Sequence, residues 1–250
     1  MSTMAAYSRF RIGGVFSRFR SILFLNIGPF ALFALAGGLV PFFIMHWVQD
    51  QVSEMQAAHA SIVLIESLLS LFVTIGMVAL MLVAQTALYQ GALESAAGRR
   101  PDPARMIDIG CRRFLKLFLI QALVGLGALL GGLFLLVPGI VLSVMWCCAP
   151  AVLIAEETGA RAAMGRSAEL TKGRRWGVFG AQFLFGFVAG LILLPLMLGM
   201  VLPAVIANIG HPEKAQASLF PFQLIVTFFS FLVLPAFRAG LYQELVQSQG

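Results

Sequence analysis

The run from Trp176 to Ile209 contains no charged side chain, and other apolar runs occupy most of the remaining chain. A helix needs about 20 apolar residues to cross a bilayer core, so runs of this kind are typical of membrane spans. Apolar residues make up 60% of the chain and charged residues 11%, and the mean hydropathy is +0.92. A water-soluble domain exposes too much surface to hide so many apolar side chains. The sequence therefore predicts a membrane protein.

Six such runs lie along the chain, separated by segments that carry most of the charges. Inside a bilayer every backbone N–H and C=O has to be paired within the protein, so each span is expected to be an α-helix. The predicted fold class is therefore all-α: a polytopic membrane protein with one membrane domain over residues 21–250. The predicted spans are residues 21–48, 62–94, 114–137, 140–155, 176–209 and 219–246.

Prolines predict where the spans turn or bend. Only Pro138-Gly139 connects the third and fourth runs, which predicts a tight antiparallel hairpin that turns at these two residues. Pro150 lies inside the short fourth run and predicts a kink. The fifth run is too long for one straight crossing and contains Pro195, so we expect a kink or a break in its outer half.

Basic amphipathic segments precede the odd-numbered spans. In the N-terminal segment, residues 1–20, apolar side chains recur at i, i+3, i+4 and i+7 from Ile12 onward, which predicts a helix at the membrane surface. Similar basic segments occupy residues 95–113 and 156–175. With both termini in the cytoplasm, all 17 Lys and Arg residues except Lys214 lie on the cytoplasmic side, as the positive-inside rule requires.

Two recurring features indicate an internal repeat of three units. Each basic segment ends in an arginine followed by an aromatic residue, and each even-numbered span ends in an apolar stretch followed by a glutamate. Units of surface helix, span and span predict approximate threefold pseudosymmetry, whereas the alternative is that membrane helices of restricted composition resemble one another by chance. The residues concerned are Arg18-Phe19, Arg113-Phe114, Arg175-Trp176, Glu94, Glu156 and Glu244, together with the repeated Leu-Tyr-Gln at Leu88–Gln90 and Leu241–Gln243.

The cationic side chains of the basic segments are the candidates for contact with lipid or with a protein partner. Near an anionic leaflet each Lys or Arg contributes about 1 kcal/mol of attraction. We expect anionic headgroups on the cytoplasmic side, and no nucleic acid, to bind them; the alternative is that these charges set topology alone. Any protein partner and the oligomeric state are left open. The candidates are Arg105, Arg112, Arg161, Arg166, Lys172, Arg174 and Arg175.

Polar side chains within the predicted spans are few. A transporter or lipid-handling protein would need such groups around a cavity, and the scarcity of buried charge argues against an ion-coupled pump. The alternative is that the amides form hydrogen bonds between helices, and that a carboxylate near the outer end of its span reaches the interface. The candidates are Glu66, Gln85, Gln121 and Gln182, of which Gln121 and Gln182 occupy matching places in the proposed repeat.

The stretch 138–179 carries the most specific pattern. A Pro-Gly pair and a further proline are followed by a glutamate and then by A-x-x-x-S-x-x-L-x-K-G before an aromatic residue. This resembles the membrane domain attached to some bacterial glycerophosphoryl diester phosphodiesterases, which also occurs alone in bacterial inner-membrane proteins. The resemblance implies a six-span domain of the bacterial inner membrane, with no catalytic role established for the membrane part. The positions are Pro138, Gly139, Pro150, Glu156, Ala163, Ser167, Leu170, Lys172, Gly173 and Trp176.

The sequence shows no pattern for catalysis, a cofactor or a metal. Its three histidines fall in predicted outer loops, and the adjacent Cys147 and Cys148 have no histidine at a metal-ligand spacing. The phosphodiesterase chemistry of the resembling family belongs to a separate soluble barrel, which we do not find here. We predict a protein that is not an enzyme: a membrane scaffold or accessory protein that engages anionic lipid or a partner through its basic helices. The alternative is a transporter or lipid-handling protein with an intramembrane cavity.

Overall fold

A computed structural model describes residues 10–25, 27–58, 63–134, 136–209 and 212–249. The protein is 89% helical, and no strand occurs among those residues. The helices are α1 Ile12–Leu25, α2 Ile27–Ala34, a π-helical turn Leu35–Leu39, α3 Val40–Ala58, α4 Val63–Ala96, α5 Pro103–Phe134, α6 Leu136–Met145, α7 Ala149–Ala155, α8 Ala160–Thr171, α9 Arg175–Ala207 and α10 Pro212–Gln247.

Six of the described stretches are long and apolar enough to cross a membrane, which confirms the predicted all-α, six-span architecture. Their bounds differ from the predicted ones mainly at the ends, since a helix does not stop where its apolar run stops. The six stretches are Ile27–Val48, Ser67–Ala96, Pro103–Gly131, Val137–Ala155, Arg175–Ala207 and Ser218–Gln247.

The first and second basic segments relate differently to the spans that follow them. The first helix, α1, continues past the predicted boundary between residues 20 and 21 to Leu25, and the first stretch long and apolar enough to span a membrane begins at Ile27. In the segment 95–113, Pro103 starts α5, which continues without interruption through the third span to Phe134. That segment therefore does not form a separate surface helix.

The predicted turn at Pro138-Gly139 is wrong. Both residues lie inside α6, where Pro138 is the third residue. Proline is tolerated there because the first backbone N–H groups of a helix have no partner within it. Gly139 instead allows the hairpin to close: a Cβ added at Gly131 of α5 would lie 2.7 Å from the Gly139 Cα. The two glycines thus let α5 and α6 pack backbone against backbone.

The fourth span is broken rather than kinked. After α6 ends at Met145, the chain turns at residues 146–148, and α7 begins with Pro150 in its first turn. A proline in this position starts a helix, because its missing N–H would be unpaired in any case. The expected break in the fifth span is absent, since α9 runs continuously from Arg175 to Ala207 with Pro195 inside it.

Packing is concentrated at one end of the helix bundle. In α9 the buried residues are Val178 and Ala181, both within the first two turns, and most of the remaining helix is exposed. Among the side chains that the structure describes, burial begins at Ala84 in α4 and at Val233 in α10. The short helices α7 and α8 supply much of the core between these helix ends. The described side chains in the opposite halves of the spans are largely apolar and exposed, as in helices surrounded by lipid.

Candidate functional site: the basic face

The densely packed end of the bundle brings the basic segments together, and we call it the basic face. It consists of α1, the end of α4 with the start of α5, α7 with α8, and the end of α10. Arg113 of α5 donates a hydrogen bond to the Leu153 carbonyl of α7 at 3.1 Å. Arg174, just before α9, donates one to the Ser248 carbonyl after α10. These contacts join segments that are far apart along the chain.

Glu94 lies at the end of α4 and is almost buried, with 7% of its surface exposed. One carboxylate oxygen accepts a hydrogen bond from the Gln90 side chain at 2.7 Å, and the other accepts the Asp102 backbone N–H at 3.2 Å. The Arg105 guanidinium lies 3.5 Å from the carboxylate. The start of α5 thus compensates the charge of a carboxylate that water hardly reaches.

Glu244 occupies the corresponding place near the end of α10. It accepts the Arg11 backbone N–H at 3.3 Å and a hydrogen bond from the Arg18 Nε at 2.9 Å. Arg18 also donates to the side chains of Gln243 and Gln247. Gly14 makes this approach possible, because a Cβ there would lie 2.7 Å from the Glu244 carboxylate. The N-terminal helix is therefore bound to α10 rather than only resting on a membrane surface.

Glu156 follows the last residue of α7. Its carboxylate accepts a hydrogen bond from the Tyr242 hydroxyl at 3.2 Å and lies 3.4 Å from the Arg166 guanidinium of α8. Arg166 also contacts Glu169 at 3.4 Å. Burial of the Arg166 guanidinium lowers its pKa, but the hydrogen bond to Glu169 and the charge of Glu156 outweigh that effect and raise the pKa above its usual value. Arg166 thus stays charged, and its guanidinium is paired with two glutamates of the protein.

The three contacts follow one rule. Each glutamate at the end of an even-numbered span contacts an arginine of the next basic segment, and the last glutamate contacts the first segment. The register of the Leu-Tyr-Gln sequences does not follow the same rule: Tyr89 lies five residues before its glutamate, and Tyr242 lies two residues before its own. The three-unit repeat therefore remains a prediction.

A polar cavity of about 240 Å³ lies where the ends of α4, α7 and α10 meet. Its walls carry both signs of charge together with two amides and a phenol. The lining includes Gln90, Glu94, Arg99, Arg105, Glu157, Tyr242 and Gln243.

The predicted lipid-contact residues divide into two groups. Four are engaged within the protein: Arg105 with Glu94, Arg112 with Asp108 at 2.7 Å, Arg166 with two glutamates, and Arg174 with a carbonyl. The other three are exposed, and no described residue forms an ion pair or hydrogen bond with their charged groups. These three are Arg161, Lys172 and Arg175.

The intramembrane candidates do not surround a common cavity. Gln121 donates a hydrogen bond to the Gln85 side chain at 2.7 Å, which links α5 to α4. Gln182 forms no hydrogen bond with a described residue, and the polar cavity of the basic face is lined by none of the three glutamines. The side chain of Glu66 lies outside the described part of the structure.

The structure reveals a polar contact that the sequence analysis missed. Arg238, which we counted only among the cytoplasmic charges, lies inside the last span and donates a hydrogen bond to the Tyr89 hydroxyl at 2.8 Å. Cys147 and Cys148 belong to the same core cluster as Tyr89; both are buried, and their sulfur atoms lie 3.6 Å apart. The sequence did contain a signal, because apolar residues flank Arg238 on both sides within the predicted span.

The residues that carry the sequence pattern at 138–179 hold the basic face together. Ala163, Ser167 and Leu170 are fully buried on α8, and the Ser167 hydroxyl donates a hydrogen bond to the Met145 carbonyl at 2.7 Å. Gly173 has a φ of 78°, a left-handed conformation that favours glycine after a helix end. Trp176 differs from the others, since it is 87% exposed at the start of α9.

These observations define a class, a multi-pass α-helical membrane protein with its packing core at a basic end. Comparison with protein-family models, with curated proteins and with solved structures finds no match to the chain. Among the described residues, no group of three or more His, Cys, Asp or Glu side chains could hold a metal ion.

Proposed function

We propose that the protein is a non-enzymatic membrane scaffold or accessory protein whose basic face engages anionic lipid headgroups. The proposal places this face in the cytoplasm and the protein in the bacterial inner membrane, with both termini cytoplasmic. The distribution of Lys and Arg supports the orientation through the positive-inside rule. The resemblance at 138–179 to the membrane domain of glycerophosphoryl diester phosphodiesterases supports the choice of membrane.

The exposure of three unpaired cations beside a set of paired ones carries this proposal. Arginines that stabilise the bundle, such as Arg18 and Arg105, already have carboxylate partners. Arg161, Lys172 and Arg175 are exposed and have no acidic partner among the described residues. Charges close to an anionic leaflet gain about 1 kcal/mol each, so three of them together give a preference of up to about 3 kcal/mol.

The test measures which lipids accompany the protein. The protein is reconstituted in vesicles of equal phosphatidylcholine and phosphatidylglycerol, extracted with styrene–maleic acid, and the lipids around it are quantified by mass spectrometry. We expect enrichment of phosphatidylglycerol, and loss of that enrichment when Arg161, Lys172 and Arg175 are all replaced by glutamine. Arg161→Lys with Arg175→Lys is the matched control, because it keeps every charge.

Enrichment that survives the triple glutamine replacement would contradict the proposal. A protein partner that co-purifies with the wild type and is lost in the triple variant, with lipid enrichment unchanged, would instead assign these cations to protein binding. The transporter alternative receives no support from the described glutamines, because Gln85 and Gln121 satisfy each other across two helices.

A further inference from the structure

An apolar groove of about 330 Å³ lies between α6 and the start of α9. One wall is a stripe of α6 that runs from Val137 to Val144, seven residues or about 10 Å along the helix. The opposite wall is Phe179 of α9, and Arg175 and Trp176 complete the lining. Both helices belong to stretches that are long and apolar enough to cross the membrane, so lipid is the solvent that this groove meets.

Arg175 is the charged member of this otherwise apolar lining. It is the first residue of α9, it is exposed, and no described residue pairs with its guanidinium. The neighbouring Arg174 is held by the Ser248 carbonyl, so the two consecutive arginines have different surroundings. A guanidinium can bind a phosphate through two parallel hydrogen bonds, which makes an unpaired arginine beside an apolar groove complementary to a phospholipid.

Trp176 fits the same arrangement. Its side chain is among the most exposed in the protein, and its ring packs edge-on against Phe179 with the centroids 6.1 Å apart. Tryptophan is enriched at membrane interfaces, where its ring lies at the level of the headgroups. The groove therefore has an apolar wall for a hydrocarbon chain, an aromatic ring of the type found at the interface and a cation for the headgroup.

We infer that the groove binds one anionic phospholipid, with an acyl chain along Val137–Val144 and the phosphate at Arg175. This inference rests on the proposed function and makes it specific: of the three cations tested there, Arg175 belongs to a lipid site of defined shape, whereas Arg161 and Lys172 act only through their charge. Phosphatidylglycerol carries both the phosphodiester and the net negative charge that the site requires.

The experiment counts bound lipids by native mass spectrometry of the full chain in a neutral detergent, titrated with phosphatidylglycerol or with phosphatidylcholine. We expect wild type to bind the first phosphatidylglycerol at least about tenfold more tightly than phosphatidylcholine, and Arg175→Gln to lose this preference. Val141→Trp, which fills the groove, should weaken phosphatidylglycerol binding by a similar factor. Arg161→Gln removes another exposed cation, one that lies outside the groove, and should leave the first binding step unchanged.

The outcomes separate the groove from the general proposal. If Arg175→Gln and Arg161→Gln weaken binding equally, or if Val141→Trp has no effect, the groove is not the site although anionic lipid still binds the basic face. If the triple glutamine variant keeps the full lipid preference, the proposed function itself fails. Thermal melting of each variant in the same detergent shows whether it is folded, and Arg175→Lys should recover part of the preference without any change in the groove wall.

Discussion

The hydroxyl of Ser167 provides the most direct test of how the broken fourth span is held. Because α6 ends at Met145, the last carbonyls of that helix lack partners within it. Ser167 of α8 is fully buried and donates a hydrogen bond to the Met145 carbonyl at 2.7 Å. Replacing Ser167 with alanine removes this donor while keeping nearly the same side-chain volume, so the effect reports the hydrogen bond rather than a cavity.

The expected loss of stability arises because the replacement leaves the Met145 carbonyl without this hydrogen-bond donor. A buried carbonyl left without a partner costs about 1–3 kcal/mol, so we expect Ser167→Ala to lower the free energy of unfolding by about that amount. Ser143→Ala is the matched control. Its hydroxyl bonds the Gly139 carbonyl at 2.9 Å, one turn earlier in the same helix. That carbonyl has a helical backbone partner, so the control should change stability by no more than about 0.5 kcal/mol.

Both variants can be measured by titrating the purified protein in mixed micelles with sodium dodecyl sulfate and following tryptophan fluorescence. Trp146, one of the three tryptophans of the chain, directly follows Met145 and lies against Gly127 of α5, so part of the emission reports the break itself. Equal stability of the Ser167→Ala and Ser143→Ala proteins would refute the reasoning, since it would mean that the Met145 carbonyl finds another partner at no cost.

Three further predictions concern packing, charge and orientation. Gly131→Ala should destabilise the α5–α6 hairpin by about 1–3 kcal/mol, because its Cβ would meet the Gly139 backbone, whereas Gly125→Ala on the same helix meets nothing within 4 Å. A double-mutant cycle of Arg18→Gln and Glu244→Gln should give a coupling energy of about 1 kcal/mol in chemical unfolding. Cys111, the exposed one of three cysteines, should react with a membrane-impermeant maleimide in inverted vesicles but not in spheroplasts.

Each of these measurements has its own control. Thermal melting in detergent that ranks the Gly125→Ala protein below the Gly131→Ala protein would contradict the backbone contact. A coupling energy of zero would mean that Glu244 keeps its partners without Arg18. For orientation, Cys111→Ser with Ile209→Cys moves the accessible thiol to an exposed position just after the end of α9 and should reverse the labelling pattern. Labelling of Cys111 in intact spheroplasts would invert the predicted topology.

Hydropathy predicts the number of spans well but their ends poorly. An apolar run marks the part of a helix that lies in lipid, whereas backbone hydrogen bonds continue as long as no residue interrupts them. This is why α5 passes from its basic first turns straight into the third span. For the same reason α3 extends to Ala58, beyond the predicted end at residue 48.

The Pro138-Gly139 pair shows a different source of error. In soluble proteins such a pair indicates a turn, but a proline in the first turn of a helix costs no hydrogen bond. The backbone of Gly139 packs closely against Gly131 of another helix. No local sequence pattern identifies a contact of this kind. The contact of Arg238 was missed for a similar reason, because a count of charges by position along the chain cannot anticipate that Tyr89 provides a partner inside the bundle.

Some arginines of the basic face have a partner within the protein and others do not, and a count of charges along the sequence cannot distinguish the two groups. Apolar helices gain little from one another in lipid, since hydrocarbon tails are as apolar as leucine, so polar contacts and close packing have to specify which helices meet. The contacts of Glu94, Glu156 and Glu244 do this for three pairs of segments, and the last of them joins α1 to α10. Of the seven predicted contact residues, Arg105 and Arg166 pair with these glutamates, and Arg112 and Arg174 have other partners in the protein. The three without a partner among the described residues are Arg161, Lys172 and Arg175. Ion pairs that specify the helix packing thus also reduce the number of basic side chains that are available to a ligand outside the bundle.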